Sequence, residues 1–170
     1  IKLGRYNYLI ADDQELIKDI FSTTRKPNKN NVKAVKEYML NSKFDYVGCI
    51  HPRRAILPEN IERIEYIFKQ IIKETKPTYC HLFYTIEENK NKHNQYSEKH
   101  THIHFLVQTD ANPFLNKTKD ILRIYSDSKV FLEPYDYMLF NNAGTEYILK
   151  NITEDSISDN CSYLSYTKRK

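Results

Sequence analysis

His100-Thr101-His102-Ile103-His104-Phe105-Leu106-Val107-Gln108 is the stretch on which the reading of this chain turns. It is an apolar run preceded by a histidine alternation, which predicts a strand over 100–108. Successive side chains of an extended backbone point to opposite faces. His100, His102 and His104 then share one face, and Ile103 and Phe105 take the other. Imidazole is the commonest protein metal ligand near neutral pH. His102 and His104 can grip one divalent ion and leave positions open for substrate oxygens, as in a catalytic rather than a closed structural site. A His-x-His pair on its own is more often a solvated strand face, so its surroundings decide the matter.

Working outward, residues 79–86 are aromatic and apolar and read as a second strand, joined to the histidine strand by a polar, lysine-rich tip over 87–99. Before this hairpin, Ile61, Ile64, Phe68, Ile71 and Ile72 form the apolar face of a helix that opens near Pro58 and ends before Pro77. Residues 46–50 read as a buried strand closing in the basic turn His51-Pro52-Arg53-Arg54. Leu16, Ile17, Ile20 and Phe21 predict a helix over 12–21, and Val32, Val35, Met39 and Leu40 another after a polar, basic stretch over 23–31. After Asn112-Pro113 the spacing predicts a helix to about 125, then a short strand over 129–133. A last helix is expected over 146–152, following Gly144 and Thr145. The segment from Thr153, ending in Lys168-Arg169-Lys170, is polar and expected to be a partly mobile tail.

The order strand, helix, strand, strand, helix, strand, helix predicts an α+β fold. Its sheet should be mainly antiparallel with flanking helices, of the split βαβ or ferredoxin-like kind. With 170 residues, 40% of them hydrophobic and 28% charged, the chain suits one globular unit. We divide it into a helical extension over 1–43, a central α+β domain over 44–152 and the tail over 153–170. No stretch approaches the roughly 18 apolar residues of a membrane span, and residues 1–10 lack the apolar core of a signal peptide. An intracellular setting is therefore expected. The chain opens on Ile1 rather than Met, from which we expect a trimmed sequence. Three cysteines, Cys49, Cys80 and Cys161, show no zinc or disulfide spacing and read as packing residues. A net charge of +4 suits a polyanionic partner, and 14 Tyr with 8 Phe can stack unpaired bases as well as fill a core. With only 3 Gly, no phosphate-binding Gly-rich loop is present, so ATP hydrolysis is not expected.

The run His102-Ile103-His104-Phe105-Leu106-Val107 resembles the His-hydrophobe-His motif of the HUH endonucleases. Tyr147-Ile148-Leu149-Lys150 is similar to the Tyr-x-x-Lys motif of their rolling-circle replication initiators. The tyrosine follows the histidines, as in that branch; plasmid-transfer relaxases have the reverse order. Residues 46–52 loosely resemble the family's first motif, and the likeness spans about 44–152.

The resemblance implies a nuclease that nicks and joins single-stranded DNA at a replication origin. It implies a Mg²⁺ or Mn²⁺ ion on His102 and His104, with a third ligand from the preceding strand. Glu87 is our choice, with Glu88 and His81 as alternatives because the pleat direction is open. Tyr147 is the implied nucleophile, giving a 5′-phosphotyrosine and a free 3′-hydroxyl. Lys150, one helical turn on, is placed to stabilise phosphate or phenolate charge. Arg53, Arg54 and His100 are expected DNA contacts, as are Lys90, Lys92 and Lys99. A helicase, as a further domain or a host protein, is the other implied partner. The setting implied is the cytoplasm of a prokaryotic host, or the host compartment of DNA replication for a virus. Two other readings stay open: a single-tyrosine transposase, and a non-catalytic nucleic-acid-binding module using Tyr79, Phe83 and Phe105 as a stacking surface.

Overall fold

The computed structural model describes residues 14–22, 27–52, 61–88, 101–126, 128–136, 143–150 and 152–169. Along them run α1 (14–22), α2 (Lys29–Asn41), β1 (Tyr46–Pro52), α3 (Ile61–Thr75), β2 (Tyr79–Glu88) and β3 (Thr101–Thr109). There follow α4 (Leu115–Ser126), β4 (Ser128–Pro134), α5 (Ala143–Leu149), α6 (Glu154–Asp159) and β5 (Cys161–Thr167). The five strands make one sheet in the order β4-β1-β3-β2-β5, and every neighbouring pair is antiparallel. With β3 inserted between β1 and β2, the β1-α3-β2 unit is a split βαβ, and β4-β1-β3-β2 is the ferredoxin-like order. The protein is α+β with an antiparallel sheet flanked by helices, as the sequence predicts.

Alternation sorts the strand residues into two cores. Ile103, Phe105 and Val107 of β3 join Leu82, Tyr84 and Ile86 of β2, Ile50 of β1 and Leu132 of β4 on one face. The apolar stripes of α3 (Ile67, Phe68, Ile71) and α4 (Ile121, Leu122) cover them. The opposite face carries Leu106 and Phe83, with Cys161 and Tyr163 from β5. It is covered by Ile17 and Ile20 of α1, Val35 and Met39 of α2, Ile148 and Leu149 of α5, and Ile157 of α6. Two helix ends show how the chain satisfies them locally. Asn28 and Asn31 exchange side chain-to-backbone hydrogen bonds in a capping box at the start of α2. Beyond α3, Lys76 takes a left-handed φ of 49° and donates its N–H to the Ile72 carbonyl at 2.9 Å.

One glycine is required by packing. Gly48 of β1 pairs with Phe105 of β3. A methyl group on it would collide with the Phe105 ring and come within 2.8 Å of the Phe131 backbone oxygen. The Phe131 oxygen is fixed by the sheet, so the ring must leave its place in the first core. We expect Gly48→Ala to lower stability by about 1–3 kcal/mol, measured by urea denaturation. A variant as stable as the parent would show that Phe105 has room to turn.

Three expectations are corrected. The polar stretch expected to interrupt the helices as far as 31 ends earlier, because Asn28 already caps α2. The last predicted helix begins sooner and stops sooner: α5 spans Ala143–Leu149, with Gly144 and Thr145 inside it. The segment from 153, read as a polar tail, supplies α6 and the edge strand β5, which pairs with β2 from Tyr79↔Thr167 to Thr85↔Cys161. Cys161 and Tyr163 are buried on the second core, so this strand closes a face that would otherwise be open.

Candidate metal centre

The site grows out of the second core along β3. Leu106, fully buried, is the last apolar residue of its row, and His104 and His102 continue the same face toward the strand's start. The β2–β3 register sets Glu87 directly opposite His102 and Thr85 opposite His104. Residues facing each other across an antiparallel pair point the same way. Glu87 therefore joins the histidine face. Its neighbour Glu88 pairs with Thr101, the opposite parity, so the choice between the two carboxylates falls to Glu87.

Glu87 Oε2 lies 3.1 Å from His102 Nε2 and 3.7 Å from His104 Nε2. One donor atom from each of the three residues lies within 4.8 Å of the others. These separations suit donors around a single ion with bonds of about 2.0–2.2 Å. The side chains are 13–14% exposed, so the carboxylate is largely removed from water. Glu87 Oε1 is buried and accepts no hydrogen bond. A buried carboxylate oxygen without a donor is costly, and a cation is the usual resolution. The donor set thus fits a divalent metal, with two imidazoles and a carboxylate leaving further positions open.

The second approach to the site comes from α5. Ile148 and Leu149 are buried in the second core beside Leu106, which pins the helix over β3. At its start, the Tyr135 hydroxyl accepts the Thr145 N–H at 3.1 Å, satisfying one of the amides a helix leaves open. Tyr147 is 53% exposed, and its ring stands edge-on to His104 with centroids 5.7 Å apart. Lys150 Nζ sits 3.5 Å from the Tyr147 ring centroid, a cation–π contact. On the far side of His104, Cys49 of β1 occupies the paired position. Burial and the Glu87 carboxylate push its thiol up to about 11. Cys80 and Cys161, both buried, have thiols pushed up to about 12, chiefly by burial.

His102, His104, Glu87, Tyr147 and Lys150 are therefore neighbours, although β2, β3 and α5 are far apart in the chain. His81 is not among them. It pairs with Gln108, six residues along β2 from Glu87 and so about 20 Å away on the strand. Its ring stacks with Tyr79 and Tyr163, and its Nδ1 lies 2.7 Å from Ser165 Oγ. Arg53, Arg54, Lys90, Lys92, Lys99 and His100 lie outside the described residues. Tyr135, which seats α5, has no motif to mark it; only its contact with Thr145 reveals its part.

Burial, and secondarily Lys18, hold the His81 pKa below the usual 6.5. As pH falls through about 6.5 the unfolded chain takes up the proton first. Stability from this residue is full above that value and declines as pH drops toward the folded pKa. His81→Gln is expected to shrink the loss of Tm between about pH 7.5 and about pH 5.5. An unchanged loss would place the acid sensitivity elsewhere.

Comparison of the chain with protein-family models, with curated proteins and with solved structures found no match. No helix among the described residues is long and apolar enough to cross a membrane.

Proposed function

We propose that this protein nicks and rejoins single-stranded DNA, with Tyr147 as nucleophile and His102, His104 and Glu87 as ligands of a Mg²⁺ or Mn²⁺ ion, and that it acts at an origin of rolling-circle replication. The observation that carries this reading is the Tyr147 ring seated against His104. A phenol from one element thereby borders a metal-ligand set built from two others. The orphaned Glu87 oxygen supports a cation there, and the motif order Tyr after His-x-His supports the replication branch.

A divalent ion held by the three ligands supplies positive charge for a bound phosphate. The remaining work belongs to the side chains. Attack of the Tyr147 phenolic oxygen on phosphorus forms a 5′-phosphotyrosine and breaks the bond to the 3′ oxygen. That oxygen leaves as a hydroxyl after gaining a proton, while the phenolic proton passes to a base or to water. Lys150 holds a positive charge over the ring, where it offsets negative charge gathering on phenol and phosphate. The phosphotyrosine keeps the phosphoester energy, so attack by a 3′-hydroxyl restores the strand.

The test is incubation with a random pool of single-stranded oligonucleotides and Mn²⁺, then peptide mass spectrometry. A nucleotide adduct on Tyr147, absent when a chelator is added, is the expected result. Intact DNA across the pool, or an adduct on another tyrosine, would overturn the reading.

A further inference from the structure

The row of paired residues through the candidate metal centre continues to β4, the terminal strand of the sheet. His104 of β3 faces Cys49 of β1, and Cys49 faces Phe131 of β4. All three point to the same face, with Phe131 two strand spacings, about 10 Å, from His104. Phe131 is 56% exposed. It and Tyr147 are the most exposed large hydrophobic side chains among the described residues, and they stand near the same ligands. A lone apolar side chain on a surface needs no explanation. Two aromatic rings within a few ångströms to about 10 Å of one three-ligand set form a pattern.

We infer that Phe131 is a stacking platform for a base of single-stranded DNA next to the phosphate held at His102, His104 and Glu87. The inference rests on the nucleic-acid reading above and adds a base subsite to it. The chemistry is that of single-strand binding generally: an aromatic face takes any base, while charge holds the backbone. Phe131 offers no hydrogen bond, so this subsite positions the strand and reads little of its sequence. An extended strand with a phosphate over the ligands has a neighbouring base within reach of the ring. Tyr147 lies on α5 and Phe131 on the edge strand, so one can react while the other holds.

The chain contains no Trp, so Phe131→Trp introduces a single indole reporter. Its emission is expected to be quenched when an unlabelled random single-stranded pool is added. In anisotropy titrations with a labelled single strand, Phe131→Ala should bind about tenfold more weakly. Phe131→Tyr should bind like the parent, and all three variants should keep the parent's affinity for Mn²⁺. Emission that ignores saturating DNA, or equal binding by Phe131→Ala, overturns the subsite even if Tyr147 forms its adduct. Emission that follows protein concentration instead assigns the ring to contact with a second copy and also overturns it. Quenching with weakened Phe131→Ala binding, but no adduct on Tyr147, keeps the subsite and removes the nuclease reading.

Discussion

Replacing Tyr147 with phenylalanine is expected to abolish the covalent protein–DNA adduct while leaving DNA binding and Mn²⁺ binding close to those of the parent. The change removes one oxygen from a ring that is half exposed and keeps the edge-on contact with His104, so the fold has no reason to respond. Loss of a nucleophile costs about 10³-fold or more in rate. A gel assay for labelled DNA attached to protein reads this directly. Lys150→Ala should slow the same reaction by a smaller factor and spare binding of the ion, since the lysine touches the ring and not the ligands. Adduct formation by Tyr147→Phe at the parental rate would show that another hydroxyl is the nucleophile.

The second large effect concerns the ion. Mn²⁺ is expected to raise the melting temperature of the parent and to leave that of His104→Ala almost unmoved. A ligand bound only by the folded state stabilises by about 2.7 kcal/mol at a hundred times its dissociation constant, a shift of several degrees for a domain of this size. Glu87→Gln divides the contributions further. It removes a buried charge whose second oxygen has no donor. The ion-free variant should then melt at or above the parental temperature while losing most of the gain from Mn²⁺. Equal gains in parent and His104→Ala would move the cation to another site.

Much of this site could be read from residue order because it is built on a hairpin. Alternation alone puts His102 and His104 on one face, and the hairpin makes the strand before them one of the two that can set a residue opposite. The carboxylate could not be chosen from sequence, since Glu87 and Glu88 differ only in pleat. The pairing Glu87↔His102 resolves it. His81 shared the right parity but not the right station. Its place beside Tyr79 and Tyr163 depends on β5, which the sequence disguises. In the strand Cys161–Thr167 five of the seven residues carry a hydroxyl, so the mean polarity resembles a tail, although Cys161 and Tyr163 keep a strand's alternation. Tyr135 illustrates the other limit. Its hydroxyl reaches Thr145 ten residues on, a meeting that no local periodicity announces.

The three candidate ligands stand on β3 and β2, two strands flanked within the sheet by β1 and β5 and backed by helices. Both faces of this floor are packed against apolar side chains. Because the three candidate ligands sit on β2 and β3 while Tyr147 rides on α5, their approach to one another depends on the packing of the second core, where Ile148 and Leu149 meet Leu106.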